Sequence, residues 1–204
     1  MENLSKSRLP QFTQEEIEYI NGTYDFLGVN HYYTSIVKDT IEAAESVISY
    51  NADVRTEVTL DAAIPQGIYN VLKWFEEQYG PNDVIMTEIG FGLLDSDNNI
   101  NDTVRSDYYA DFLCKIFDAI DNGVSVDAII FWSLLDSIEW SSSDKIRYGL
   151  FYVNFDDPAR VRIPKESSKF IRELMEKREL QCGKARRDWL DVPIASSTHH
   201  KIKH

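Results

Sequence analysis

Glu88 stands directly after a short apolar run, Val84-Ile85-Met86-Thr87. The run lacks alternation, which is typical of a strand that is buried on both faces. A carboxylate held at the end of such a strand, with glycines at positions 90 and 92 behind it, has the placement that a nucleophile or an acid/base catalyst requires. A glutamate in a surface loop is the competing interpretation, because single glutamates at strand ends are common. The local pattern alone leaves both interpretations open.

Residues 132–140 form a second candidate segment, in which Trp132 and Trp140 enclose a stretch that contains Glu139. An indole offers a large apolar face with a polar N–H at its edge, so it can stack on the apolar face of a sugar ring. A neighbouring carboxylate accepts hydrogen bonds from vicinal hydroxyls. The segment therefore suits sugar binding. Core tryptophans beside a solvated glutamate are the alternative.

The elements that must position these residues alternate between apolar runs and amphipathic helices. Helices are predicted where apolar residues recur at helical spacing and where glycine or proline ends the pattern. The predicted strands are residues 25–34, 84–87 and 126–132, and the predicted helices are residues 65–80, 104–122 and 164–179. The strand at 126–132 is predicted to be the most buried one. Strands that are each followed by a helix predict parallel βα units, of either a doubly wound sheet or a (β/α)8 barrel.

The ends of the predicted strands carry the candidate residues. No glycine-rich phosphate-binding fingerprint follows any strand, which argues against the nucleotide-binding version of the fold. In a (β/α)8 barrel, catalytic groups lie at the carboxyl ends of the strands. These ends carry Asn30 and Tyr32, then Glu88, then Trp132.

Composition narrows the class of partner. The chain has 204 residues, of which 43% are hydrophobic and 27% charged, and this balance predicts a folded globular protein. Its net charge of −13 argues against a nucleic acid or an anionic membrane surface as the main partner. No apolar run approaches the ~20 residues of a membrane span.

The cysteines and the glycosylation-type triplets carry little weight by sequence alone. Cys114 lies in an apolar helical stretch and is expected to be a buried small hydrophobe, whereas Cys182 lies in a polar tail. One disulfide could form between them, but the sequence does not support it. Asn-x-Ser/Thr triplets begin at Asn3, Asn21 and Asn101. They favour a secretory or lysosomal route only weakly, so the compartment is left open.

Several segments resemble glycoside hydrolase family 1, the β-glucosidase-like enzymes. Thr87-Glu88-Ile89-Gly90 is similar to the family's Thr-Glu-Asn-Gly nucleophile motif. Residues 132–140 resemble its Trp-Ser-Leu-Leu-Asp-Asn-Phe-Glu-Trp segment, and residues 26–34 its Gly-x-Asn-x-Tyr segment. The matches run in order from about residue 7 to residue 175, in a style closest to animal and particularly insect members.

The resemblance implies a retaining glycosidase that acts on a β-glucoside or related glycoside and needs no cofactor or metal. Glu88 would be the nucleophile that forms a covalent glycosyl-enzyme intermediate, and Tyr32 would hydrogen-bond Glu88. The family also holds a cis peptide bond at the position of Trp132-Ser133.

The remaining implied roles concern the sugar. Asn30 would organise it at the cleavage subsite, and Trp132 would stack beneath it. Glu139 and Trp140 would bind its distal hydroxyls. Structural rather than catalytic roles are expected for Arg105, Tyr33, Asp136 and His31.

This sequence also departs from the family pattern. Ile89 stands where Asn follows the nucleophile, which is expected to reposition or desolvate the carboxylate, and Ser137-Ile138 replaces Asn-Phe. The family's general acid/base lies in an Asn-Glu-Pro motif, and no such triplet occurs in this sequence. The resemblance therefore implies that residues 1–180 supply βα units six to eight of a partial (β/α)8 TIM barrel, followed by a disordered basic tail at 181–204.

Such a partial barrel has two open edges and an uncovered apolar face. The isolated chain is therefore expected to self-associate or to pair with a missing N-terminal barrel half. It is also expected to be inactive alone, because no general acid is present to protonate the leaving group. A non-catalytic carbohydrate-binding or interaction protein derived from the family is the alternative.

Overall fold

The computed structural model describes residues 10–39, 56–62, 64–95, 100–140 and 145–183. The helices are α1 (Gln14–Ile20), α2 (Gln66–Tyr79), α3 (Thr103–Asp121) and α4 (Glu166–Lys177). The strands are β1 (Leu27–His31), β2 (Thr34–Asp39), β3 (Thr56–Ala62), β4 (Val84–Ile89), β5 (Leu93–Leu94), β6 (Val126–Phe131), β7 (Ile146–Arg147), β8 (Phe151–Val153) and β9 (Arg162–Pro164).

The centre of the chain is a parallel sheet in the order β1-β4-β6. Leu27 pairs with Val84, and Val84 pairs with Val126, so the strands start level with one another. The next long helix after each strand is α2, α3 or α4. The structure therefore confirms the predicted α/β class and the parallel arrangement, and it places the carboxyl ends of the strands at one edge.

The helices cover one face of this sheet and form the apolar core with it. Met86 of β4 is fully buried, as are Leu72 of α2 and Phe112 of α3. α3 is the central helix, since it packs against both α2 and α4. None of the helices in the described ranges is both long and apolar enough to cross a bilayer.

In the described part of the chain, the opposite face of the sheet is partly exposed. Ile129 of β6 packs against the core, but its neighbour Ile130 is 53% exposed. The prediction that this strand is the most buried one is therefore wrong, because β6 is an edge strand within the described part of the chain. α1 has a complete capping box at Thr13, yet none of its residues is buried. In the described part of the chain, β6 therefore packs on one face only, and α1 stays exposed along its length.

Antiparallel strand pairs account for the other differences from the predicted elements. The strand expected at 25–34 ends at His31, and the chain then turns into β2, which pairs antiparallel with β3. Two further antiparallel pairs, β5 with β7 and β8 with β9, hold two or three residues each. Strands of two or three residues show no readable periodicity, so the sequence does not reveal β5, β7, β8 and β9.

A disulfide joins Cys114 of α3 to Cys182, 68 residues further along the chain. Cys114 is buried, as expected, but it is also bonded to Cys182, a pairing that the sequence allowed without supporting it. The segment after α4 returns to the helical layer, which the polar sequence around Cys182 does not indicate. The predicted disordered tail lies outside the described residues, apart from residues 181–183.

His31 at the end of β1 contributes to the packing between sheet and helices. Its ring lies 5.5 Å from that of Phe112, and its Nδ1 atom is buried without a hydrogen-bond partner among the described residues. Burial lowers the pKa of His31 from 6.5 to about 4. A packed structural histidine, as the sequence predicts, fits this environment.

Acid should destabilise the fold partly through His31. The unfolded chain binds this proton near pH 6.5 and the folded chain only near pH 4, so stability is lost as the pH falls through this window. We expect His31→Phe to remove about 2 kcal/mol of the stability difference between pH 7 and pH 4.5. Urea unfolding of both proteins at the two pH values measures this, and equal pH dependence would contradict it.

The disulfide should stabilise the chain by restricting its unfolded state. A closed loop of this length is worth about 4 kcal/mol in the chain-entropy description. We expect Cys182→Ser to lower the unfolding free energy by up to that amount, as seen in its denaturant midpoint. Wild type treated with a reductant is the matched control and should unfold at the same midpoint as the variant. No difference between oxidised and reduced wild type would refute the assignment.

Candidate active site

The carboxyl ends of the three central strands bring the predicted residues to one edge of the sheet. Asn30 of β1 is the register partner of Glu88 of β4. Thr87 donates a hydrogen bond of 2.6 Å from its hydroxyl to Oδ1 of Asn30. Trp132 follows β6 directly, and its backbone N–H donates to the carbonyl of Ile89. Residues that lie far apart in sequence are therefore neighbours here.

Tyr32 and Glu88 are joined by a direct hydrogen bond. The Tyr32 hydroxyl donates to Oε2 of Glu88. Burial and this bond both raise the pKa of Tyr32 well above its ordinary value, so the hydroxyl remains a donor. On the other side, the Tyr108 hydroxyl of α3 donates to the Tyr32 carbonyl at 2.7 Å. The position of Tyr32 is thus set by both the core helix and the carboxylate.

Glu139 is held by two donors within its own segment. Its Oε1 accepts from the indole N–H of Trp132 at 3.3 Å and from the Ser137 hydroxyl at 2.9 Å. Glu139 is buried, whereas Trp132 remains 36% exposed. Ser137 replaces the asparagine of the family pattern but still supplies a donor. Sequence reasoning did not identify this role.

The two candidate segments meet at Gly90. A Cβ atom added there would lie 2.4 Å from the carbonyl oxygen of Trp132 and 2.9 Å from the Tyr32 ring. Glycine is therefore required where the loop after β4 passes the start of the tryptophan segment. The charge of Glu139 also raises the pKa of Tyr32, next to the larger effect of Glu88, so both carboxylates lie within electrostatic range of one hydroxyl.

Ile89 does not line this site. It is fully buried and belongs to the apolar core beneath the sheet. Successive side chains of a strand point to opposite faces, so the apolar replacement is accommodated by the core. The expectation that Ile89 desolvates the neighbouring carboxylate is not supported by this placement.

Trp140 stands apart from the other candidates. Its side chain is 96% exposed, and its φ of 38° is unusual for a residue with a bulky side chain. The residues that follow, 141–144, lie outside the described ranges. The structure thus brings Asn30, Tyr32, Glu88, Trp132 and Glu139 to one region, but it does not pack Trp140 among them.

Arg105 of α3 connects the loop after β4 to the chain around β7. The buried guanidinium donates to the carbonyls of Phe91, Gly149 and Arg147, at 2.9, 2.6 and 2.6 Å. It also pairs with Asp102 at 2.8 Å, and both side chains are fully buried. These contacts agree with the structural role expected of Arg105.

A second buried ion pair supports the tryptophan segment. Lys165 and Asp136 are 2.8 Å apart, with both side chains fully buried. The backbone N–H of Gly149 also donates to Asp136 at 2.9 Å. Burial lowers the pKa of Lys165 to about 8. Asp136 thus acts structurally, as expected, while the Tyr33 side chain is 37% exposed.

Two further expectations concern local chemistry. The peptide bond between Trp132 and Ser133 is cis, as the resemblance implies. Within the described ranges, no group of three or more histidine, cysteine, aspartate or glutamate side chains could hold a metal ion. The side chains described at the site carry carboxylate, hydroxyl and amide groups and aromatic rings.

Comparison with known proteins identifies the family to which this chain is similar. The model of glycosyl hydrolase family 1 matches residues 1–180. Human lactase/phlorizin hydrolase is 34% identical over 178 residues, covering 82% of this chain and 9% of the relative. Human cytosolic beta-glucosidase is 35% identical over 180 residues, covering 81% of this chain and 38% of the relative.

The fold agrees with that assignment. The structure of aphid myrosinase superposes with a TM-score of 0.73 at 29% identity, covering 86% of this chain and 39% of that one. The chain thus spans about two fifths of the length of this enzyme and of the cytosolic beta-glucosidase. The resemblance seen in the sequence is confirmed: the chain belongs to glycosyl hydrolase family 1.

Proposed function

We propose that this chain supplies the nucleophile half of a retaining O-glycosyl hydrolase that acts on β-glucosides or related glycosides. The hydrogen bond from Tyr32 to Glu88, at the strand edge beside the Trp132–Glu139 pair, is the observation that carries the proposal. The Glu88 carboxylate thus has a hydrogen-bond donor in Tyr32, and the indole of Trp132 lies in the neighbouring segment.

Glu88 carries out the covalent step. One carboxylate oxygen attacks the anomeric carbon, the bond to the aglycone oxygen breaks, and a glycosyl ester forms. Water then attacks the same carbon and releases the carboxylate. Because its pKa is raised, the Tyr32 hydroxyl keeps its proton. It therefore acts as a hydrogen-bond donor that orients the Glu88 carboxylate.

Trp132 and Glu139 hold the sugar. The partly exposed indole of Trp132 offers its face to the sugar ring, while its N–H donates to the Glu139 carboxylate and keeps it in place. The other oxygen of that carboxylate accepts hydrogen bonds from sugar hydroxyls. Asn30, which is exposed at the same edge, contributes a further polar group.

The general acid must come from further βα units. A retaining glycosidase needs a second carboxyl group ~5–5.5 Å from the nucleophile. Glu139 is already engaged by Trp132 and Ser137, and the sequence has no Asn-Glu-Pro triplet. Activity therefore requires an N-terminal barrel half, supplied by the same or another polypeptide.

The uncovered surfaces fit such a half. β1 and β6 each have one neighbour in the described sheet, so each has a free edge for a parallel strand. Along α4 runs a groove of about 410 Å³ with Leu134, Ile171 and Met175 in its lining. Because α4 follows the edge strand β6, this groove would receive the helix of the next βα unit.

An activated fluorosugar tests the nucleophile without the missing acid. The fluoride of 2-deoxy-2-fluoro-β-glucosyl fluoride leaves without protonation, and the fluorine at carbon 2 slows hydrolysis of the ester. We expect one covalent adduct per chain, located on Glu88 by peptide mass, when the chain is combined with an N-terminal half from a family relative. Labelling should be slower for Tyr32→Phe, because the attacking carboxylate loses its orienting donor.

Two variants control this experiment. Glu88→Gln should abolish the adduct, whereas Glu173→Gln, on the exposed side of α4, should leave it unchanged. An adduct on another residue would refute the role of Glu88. A folded complex that binds the sugar but forms no adduct would instead favour a non-catalytic carbohydrate-binding protein. The absence of an Asn-Glu-Pro triplet from this sequence is the observation that favours this alternative.

A further inference from the structure

Two features of α3 play no part in the proposed catalysis. One is the disulfide between Cys114 and Cys182. The other is the Asn101-Asp102-Thr103 triplet, which spans the start of the helix. They involve different chemistry, and Cys114 lies in the middle of the helix while the triplet lies at its start, so they are independent observations.

The disulfide points to an oxidising compartment. The given sequence contains two cysteines, and the structure pairs them with each other. Cys114 is 9% exposed, and its partner comes from the segment after α4. Disulfides that link distant elements are rare in the cytosol, where glutathione and thioredoxin keep thiols reduced, and common in secreted proteins.

The Asn101 triplet has the surface geometry of a glycan acceptor. Asn101 and Thr103 are exposed, while Asp102 between them is buried. Asp102 accepts from the backbone N–H and the hydroxyl of Ser167 at 2.8 and 2.7 Å and pairs with Arg105. The backbone is thus anchored through the middle residue, and the two residues that define the acceptor remain at the surface.

The position of Asn101 in the fold leaves space for a glycan. α3 follows the middle strand β4 and packs between α2 and α4. Further barrel units would attach at the free edges of β1 and β6, away from this central unit. Asn21 is also exposed, but it lies between α1 and the edge strand β1, where added units would pack. The fold therefore distinguishes two triplets that look equivalent in sequence.

We propose that this chain matures in an oxidising, glycan-adding compartment, where Cys114 and Cys182 form their disulfide and Asn101 receives an N-linked glycan. In the first step a protein disulfide donor accepts two electrons by thiol–disulfide exchange, and the two thiols lose their protons. In the second, the Asn101 amide nitrogen bonds to the anomeric carbon of a lipid-linked oligosaccharide, with loss of a proton and departure of the lipid pyrophosphate. Neither step depends on hydrolase activity.

Peptide mapping of the protein from its own organism tests both modifications. The protein is denatured with iodoacetamide and without reductant, then digested with trypsin. We expect residues 106–115 and 179–184 to appear as one disulfide-linked pair. After treatment with peptide N-glycosidase in oxygen-18 water, peptide 74–105 should carry a labelled aspartate at position 101. Asn82 in the same peptide belongs to no acceptor triplet and should stay unlabelled.

A matched pair of variants tests the acceptor triplet at Asn101; the triplet at Asn3 lies outside the described residues. In cells of the source organism, Asn101→Gln and Thr103→Ser should be compared, since serine preserves the acceptor triplet. Asn101→Gln should lose one glycan in mass and Thr103→Ser should keep it. Alkylation of both cysteines as free thiols would overturn the proposal. So would an unmodified Asn101, including the case in which only Asn21 is glycosylated.

Discussion

The ion pair between Arg105 and Asp102 is the interaction on which the arrangement of this site depends. The guanidinium binds one carbonyl in the loop after β4 and two around β7. Asp102 meanwhile binds the start of α4. The buried ion pair thus connects the loop after β4, the chain around β7 and two helices. Removing one partner of such a pair typically costs 3–5 kcal/mol, because the other charge remains buried. A pair this costly to break is suited to hold loops that have little regular structure of their own.

The second constraint is that the sheet is incomplete. The helices cover one face, while Ile130 on the other face and the whole of α1 remain exposed. A seven-residue helix is marginal by itself, and an apolar edge strand favours association. In the function we propose, the same incompleteness separates the nucleophile and the sugar-binding carboxylate from the general acid. The proposal therefore gives folding and catalysis the same partner, a polypeptide that supplies further βα units.

Much of the candidate site could be predicted because strand ends are local features. Glu88 follows an apolar run, and Trp132 follows another, so parallel βα units place both at one edge. The family resemblance also predicted the hydrogen bond from Tyr32 to Glu88, which the structure contains, but the hydrogen bonds that support this pair and Glu139 could not be predicted. Tyr108 reaches the Tyr32 carbonyl across 76 residues, and Ser137 supports Glu139 only because of the path of an irregular segment. The burial of β6 was overestimated for a related reason, since apolar composition shows what a strand can pack against but not whether a neighbour is present.

The sequence by itself determined the α/β class, the three long helices, the family and the residues expected to do chemistry, because these follow from short-range periodicity and contiguous motifs. Only the tertiary structure decided that Cys114 pairs with Cys182, that Ile89 is absorbed by the core, and that Asn101 and Asn21 occupy different surroundings. Each of these depends on contacts between segments that are distant along the chain. Such contacts are set by how the layers pack, and no local pattern of residues records them.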